Sequence, residues 1–361
     1  MKSRLSSIYI IAEAGVNHCG DLDLARKLIK AASDCGADAI KFQTFKSELM
    51  STTKAKKADY QNSGDGDVVS HQKMLKDLEL PFEWHRELQQ YSSACGLDFL
   101  SSPFDLESLD LLLSLDVPLL KIPSGEVTNA PLLWRYGRSK KPVIMSTGMS
   151  NIDEITFALA NVFFGRSSQN MPISSREVWA FWNHMMQDNV ALDDVCLLHC
   201  HSEYPTPLRS ANMLAIESLR SHFNLPVGYS DHTEGQLMPI AAAALGARVI
   251  EKHFTIDRSL PGPDQNMSME PADFKEMVQS IRQVELSLGN GDKVPQQGEV
   301  ANIGIARQRI IATRCIKRDA IIMPEDITTS RCANGIFADK FWDITGSSAK
   351  ADFKVGEAIE L

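Results

Sequence analysis

Two histidines stand at matching ends of two apolar runs in this 361-residue sequence: His232 closes VGYSDH and His253 closes ARVIEKH. Between them lies an Ala-rich interval of helical character, EGQLMPIAAAALG. Two parallel strands joined by a helix bring their C-terminal ends to one edge of a sheet. Imidazole nitrogen suits divalent transition ions, and a histidine pair backed by Asp231, Glu251 and Asp264 could hold one ion with positions left open for substrate. The alternative is that each histidine is a hydrogen-bonded polar residue at a strand end.

A second chemistry is carried by lysines. Lys41 in AIKFQ and Lys121 in LLKIPS each interrupt an apolar strand, and a buried ammonium needs an anionic partner. Ser102, Ser124, Ser146 and Ser230 fall at other strand ends, so a phosphate or a phosphorylated carboxylate is the guest that such a set would hold. Pairing of the lysines with Glu13 and Glu126 is the purely structural alternative. A third grouping, His199-Cys200-His201, places two imidazoles on one side of a strand, as a barrel hydrolase would to chelate a metal. Those enzymes usually carry the pair on the first strand, and here that strand ends in Glu-Ala-Gly. Cys196 and Cys200 read as small buried apolar residues.

The elements that must position these groups recur along the chain. Eight apolar runs end in polar residues, at Glu13, Gln43, Ser102, Ser124, Thr147, His201, His232 and His253. Most are followed by amphipathic helical patterns such as LDLARKLIKAASDCG, PFEWHRELQQYSSACG and NIDEITFALANVFF. Eight β-then-α units predict an α/β protein, a TIM (β/α)8 barrel over residues 1–288. An open doubly wound sheet is the alternative, but E-A-G-V-N-H stands after the first strand where G-x-G-x-x-G would be expected. The Gly/Pro/polar stretch 289–299 reads as a linker. Residues 300–361, with RIIATRCI, AIIM and ITTSR, read as a small all-β domain. Two long intervals remain: Lys46 to Glu79, a lysine-rich polar loop beside the active face, and Phe164 to Asp194, a helical insertion carrying Trp179 and Trp182.

Bulk composition excludes other classes. Hydrophobic residues make up 43% and charged residues 23%, as expected for a globular chain with a sizeable core. A formal charge of -9 argues against a nucleic-acid surface. Seven scattered cysteines do not form a disulfide framework, which points to a reducing cytoplasm. No apolar stretch approaches the roughly 20 residues that cross a bilayer, so no membrane partner is expected.

Taken together these motifs resemble the sialic acid (nonulosonic acid) synthase family. EAGVNHCGD, KFQT, LSSPF, KIPSGE, MSTGMS, LLHCHSEYPTP, GYSDHT, EKHFT and PGPD occur in order, followed by a module similar to the antifreeze-like (SAF) domain. The resemblance implies condensation of phosphoenolpyruvate with an N-acylated mannose-type sugar and release of phosphate. It also implies a divalent ion, typically manganese with magnesium or cobalt as alternatives, and a domain-swapped homodimer. By that resemblance His232 and His253 are the metal ligands. Lys41, Ser102, Lys121, Ser124, Ser146 and Ser230 hold phosphoenolpyruvate, and Glu13 and Glu126 are the catalytic acids. Gln43, Ser202, Tyr204 and Asp264 are on the sugar or metal side, and Arg331 of SRCANG reaches the sugar N-acyl group across the dimer.

Two departures bear on the sugar. Family members that make N-acetylneuraminate often carry Thr-Asn before Tyr-Pro, whereas His201-Ser202-Glu203-Tyr204-Pro205 stands here. Cys332-Ala333 replaces a common Pro-Gly beside the arginine. The resemblance still makes N-acetylneuraminate the first expected product. Legionaminate, from a 2,4-diacetamido-2,4,6-trideoxy sugar, is the close second, and pseudaminate the third. A metal-dependent barrel hydrolase and a non-catalytic carbohydrate-binding paralogue are the readings from other classes.

Overall fold

The computed structural model describes residues 4–52, 71–192 and 194–360, and these divide into two compact units, 1–289 and 290–361. The first is an eight-stranded parallel barrel: β1 (Tyr9–Gly15), β2 (Ala39–Thr44), β3 (Asp98–Pro103), β4 (Leu120–Ile122), β5 (Val143–Ser146), β6 (Val195–Cys200), β7 (Val227–Asp231) and β8 (Val249–His253). The hydrogen-bonded order is β3-β2-β1-β8-β7-β6-β5-β4, as a (β/α)8 barrel requires. All eight strands occupy the apolar runs expected of them.

Alternation along each strand sorts the side chains. Ile10, Ala12, Ile40, Phe42, Phe99 and Leu197 face the surrounding helices and build the larger core. The opposite face turns inward, where Tyr9, Ile11, Ala39, Leu100, Leu119, Ile144, Cys196, Leu198 and Val249 pack into an apolar plug. One residue pair further toward the C-terminal ends, the same inward positions become Glu13, Lys41, Ser102, Lys121, Ser146, Ser230 and Glu251. Burial of the plug supplies roughly 25 cal/mol per Å² of apolar surface and leaves the polar layer no room to sink deeper.

The helices hold this register. Asp105 caps the helix Leu106–Ser114 through its bond from the Ser108 amide at 2.8 Å, and its other oxygen takes the Lys46 amide at 2.9 Å. The helices Ala130–Arg138 and Ile152–Ser167 touch backbone to backbone. A methyl group on Gly137 would run into the Val162 carbonyl, and one on Gly165 into the Trp134 carbonyl. The insertion expected between Phe164 and Asp194 contains the helix Ser175–Gln187, whose Val178, Trp182 and Met185 join the outer core. Of the loop expected from Lys46 to Glu79, the short helix Ser47–Met50 and the helix His71–Leu78 are described, and most of the polar stretch between them lies outside the described residues.

Between β3 and β4 the strands are neighbours without a described ladder, and a side chain does the joining. The Tyr136 hydroxyl, fully buried, is shared between the carbonyl of Lys121 on β4 at 2.8 Å and that of Pro103 on β3 at 3.1 Å.

The second unit has its own core of Ile310, Ala312, Ile316, Ile322, Ile327, Ile344, Ala349, Phe353 and Ile359. It holds an antiparallel pair, β9 (Arg309–Ala312) with β10 (Ile327–Ser330), and single bridges such as Ile316 to Phe353 and Ile311 to Ala358. The small sheet fits the expected β domain, and Gln297–Ala306, across the end of the expected linker and the start of that domain, is a helix. The reciprocal bonds between Gln296 and Glu299 at its N-terminus start it.

Replacing Tyr136 by Phe removes the only donor the described structure places on both seam carbonyls. We expect it to lower unfolding stability by about 1–3 kcal/mol, measured by urea denaturation. An unchanged midpoint would show that the seam does not depend on this hydroxyl.

Candidate active site

At the C-terminal ends of the strands a cavity of about 370 Å³ opens above the polar layer. Its floor is an ion network. Lys41 Nζ lies 2.6 Å from Glu13 Oε2 and 3.6 Å from Glu251, and donates to Ser102 Oγ at 3.1 Å. Lys121 Nζ lies 3.4 Å from Glu251 and donates to Ser146 Oγ at 2.8 Å. Ser230 Oγ donates to Glu251 at 2.9 Å. Each of these charged side chains is at most 7% exposed.

The environment divides the two carboxylates. Burial favours the neutral acid for both, but the ammonium groups of Lys121 and Lys41 override it at Glu251 and hold that carboxyl down to about 2. Glu13 has Lys41 as its near neighbour and Glu251 as a repelling one, so burial prevails and pushes it up to about 7. Lys41, with two carboxylates, is raised despite burial, whereas burial lowers Lys121. One carboxylate of the floor is thus firmly ionised and the other is poised to exchange a proton near neutrality.

The rim carries the imidazoles. His232 and His253 have ring centroids 5.4 Å apart, and Tyr204 packs against both at 4.1 and 6.0 Å. His232 Nδ1 donates to the His201 carbonyl at 2.6 Å, which leaves Nε2 as the nitrogen with a free lone pair in the neutral ring. His253 Nδ1 is buried without a hydrogen-bond partner and lies 3.7 Å from Asp264 Oδ2. Burial pushes Asp264 up to about 6, and burial together with His232 takes His253 well below the ordinary imidazole value. His232 is raised despite its burial, because Cys200 Sγ lies 3.8 Å from Nδ1 and the His201 carbonyl accepts from it.

Of the residues selected from the sequence, Glu13, Lys41, Gln43, Ser102, Lys121, Ser124, Ser146, Ser202, Tyr204, Ser230, His232, His253 and Asp264 all line this one cavity. Two do not. Glu126 lies in a short turn after β4, where its carboxylate takes the Asn129 amide at 2.6 Å outside the cavity lining, so it is not the partner of either lysine. Arg331 is an exposed residue of the second unit, just after β10. The hydrolase-like pair fails on direction: His199 points outward with Leu197, donates from Nε2 to the Ala211 carbonyl at 2.8 Å and stacks on Tyr229. His201, beyond the strand end, pairs with Glu203 at 3.2 Å.

Sequence reasoning underrated Glu251 and Cys200. Glu251 precedes His253 by two residues and so shares its inward face, which is the signal that marks it as the common counter-ion. Cys200 alternates with Leu198 and reaches the lining in the same way. Met50, Met74, Leu75, Leu78, Phe104 and Met149 form an apolar wall that no motif announces.

Changing Glu251 to Gln strips the lysines of the counter-ion they share. We expect a loss of about 3–5 kcal/mol in unfolding stability, part of which millimolar inorganic phosphate should restore by occupying the floor. A variant as stable as the parent, with or without phosphate, would refute the shared counter-ion.

With this geometry in hand the chain can be set beside known proteins. A model of the NeuB family matches residues 28–293. The chain is 43% identical to N,N'-diacetyllegionaminic acid synthase of Campylobacter jejuni over 350 residues, 97% of this chain and 98% of the relative. It is 41% identical to the protein of the same name from Legionella pneumophila over 363 residues, 99% and 96% of the two chains. Its fold matches the crystal structure of N-acetylneuraminic acid (sialic acid) synthetase from Leptospira borgpetersenii in complex with citrate, with a TM-score of 0.67, 32% identity and coverage of 83% and 91%. The ordered motifs, the barrel that assembles them and these near end-to-end likenesses have one explanation: the chain belongs to the NeuB family.

Proposed function

We propose that this NeuB-family transferase is a legionaminate-type nonulosonic acid synthase. It condenses phosphoenolpyruvate with 2,4-diacetamido-2,4,6-trideoxymannose and water and releases phosphate. The observation that carries the reading is the floor: two buried ammonium groups, each hydrogen-bonded to a serine, at the base of a cavity rimmed by two imidazoles. N-Acetylneuraminate was the first expectation from the sequence. The legionaminate reading moves ahead of it because two relatives of that name stand at 43% and 41% identity, against 32% for the sialic acid synthetase structure. Ser202 in place of the family's Asn points the same way.

In this reading Lys41 and Lys121, with Ser102, Ser124, Ser146 and Ser230, hold the phosphate and carboxylate of phosphoenolpyruvate. C3 of the enol phosphate attacks the sugar aldehyde carbon, forming the new C–C bond as the C=O π bond breaks. The aldehyde oxygen takes a proton from solvent water, and C2 is left as an oxocarbenium centre. Water adds at C2, and the C–O bond to phosphate breaks. Glu13, raised toward neutrality, receives the proton from that water. Gln43, Tyr204 and Asp264 flank the sugar.

The imidazole pair fits a divalent ion. His253 Nδ1 is a buried nitrogen with no partner, and His232 is fixed in one orientation by its bond to His201. Among the described residues no three His, Cys, Asp or Glu side chains form a ready-made ligand cage. Manganese, with magnesium or cobalt as substitutes, would be held by His232 and His253 and would supply Lewis-acid polarisation of the aldehyde.

We place the enzyme in the cytoplasm, in keeping with seven free cysteines and no helix long and apolar enough to cross a membrane among the described residues. We read the second unit as antifreeze-like and as the swapped element of a dimer. Its helix Gln297–Ala306 buries none of its residues, leaving Val300 56% and Ile305 73% exposed, apolar side chains that a partner subunit would cover.

Phosphate release from phosphoenolpyruvate with manganese tests the substrate. We expect kcat/KM at least tenfold higher for the diacetamido sugar than for N-acetylmannosamine, and loss of release in His232→Ala. Preference for N-acetylmannosamine makes the product N-acetylneuraminate, and silence with either sugar removes the synthase reading. In the same assay Arg331→Ala should raise KM for the sugar and leave that for phosphoenolpyruvate unchanged. Sizing in solution should give a dimer, and a fully active monomer would exclude the swap.

A further inference from the structure

The two rim histidines each have a charged neighbour on the far side of the barrel wall. Asp231 precedes His232, and Lys252 precedes His253. They are direct register partners on the last rung between β7 and β8. Ser230 and Glu251, one residue earlier, face inward to the floor, so Asp231 and Lys252 face outward. There they form an ion pair of 2.6 Å with side chains 0% and 2% exposed.

The contacts of this pair surround His232. Asp231 Oδ1 accepts the Thr233 amide at 2.9 Å, and Oδ2 accepts the Thr233 hydroxyl at 3.2 Å. Lys252 Nζ also donates to the Thr233 carbonyl. The residues before and after His232 are therefore both tied to β8, and the tie on β8 is the residue before His253. From the other side, the His201 carbonyl takes His232 Nδ1, and the Met269 amide donates to the His253 carbonyl at 2.8 Å.

A buried ion pair is a poor choice for stability alone, since well-packed apolar residues of similar volume often serve as well or better. What it provides is direction. We infer that the Asp231–Lys252 pair is a positioning element that sets the separation and aim of His232 and His253, and so the affinity of the site for a divalent cation. The inference rests on the reading of those two imidazoles as the metal ligands. Outer partners that orient ligands typically change metal affinity 10–100-fold when removed.

Manganese binding to the full-length chain, read from the EPR signal of free Mn2+, tests it without reference to turnover. The double variant Asp231→Asn/Lys252→Met removes both charges together, so that neither is stranded. We expect it to keep the parent melting temperature and to bind Mn2+ about 10–100-fold more weakly. Lys252→Arg, which keeps the charge and alters the reach, should weaken binding less, and it decides the matter if the double variant does not fold. Tyr136→Phe should lower the melting temperature without changing Mn2+ affinity, which separates loss of stability from loss of aim. Parent-like affinity in a folded double variant, or in Lys252→Arg when that variant alone folds, overturns the positioning role. Equal affinity in the parent and His232→Ala overturns the metal reading, and the positioning role with it.

Discussion

Two ammonium groups inside a barrel must be neutralised, and most of the architecture follows from how that is done. An unpaired buried charge would be expelled or would lose its proton. Here Glu251 stands between Lys41 and Lys121 and serves both, while Glu13 serves Lys41 alone. The consequence is an asymmetric set of four charges in which one carboxylate is held ionised and the other is free to trade protons. The apolar plug below keeps this set from solvent on one side and fixes its height in the barrel. The cavity above is open to a ligand.

The rim then differs from the floor in kind. Floor groups are matched to one another by ion pairs and hydrogen bonds. The rim imidazoles are held from behind, through backbone carbonyls and outward-facing neighbours, so that their inner nitrogens stay uncommitted. A charge-matched base and an uncommitted rim are what a site needs to grip an anion first and then engage a second, neutral reactant.

Much of this was legible in the sequence. A polar residue ending an apolar run is conspicuous, and eight such endings defined the barrel and nearly all of its lining. The failures have physical reasons. Glu126 sits one residue past a glycine in a turn, where spacing from the strand no longer predicts direction. His199 obeys the alternation rule but on the outward face, and only the neighbours Leu198 and Cys200 reveal which face that is. The helix at 297–306 was hidden because its start depends on a reciprocal side-chain bond rather than on apolar periodicity. The apolar wall from Met50 to Met149 is drawn from four separate loops and helices and has no signature in any one of them.

The seam closed by Tyr136 is a line along which a side chain stands in for a strand ladder among the described residues. Lys41 and Ser102 belong to the strands on one side of that line, and Lys121 and Ser146 to those on the other. An anion held by both lysine–serine pairs would lie across the joint as a brace. Amide exchange in β3 and β4 would then report on occupancy of the floor from the opposite direction to the ligand itself.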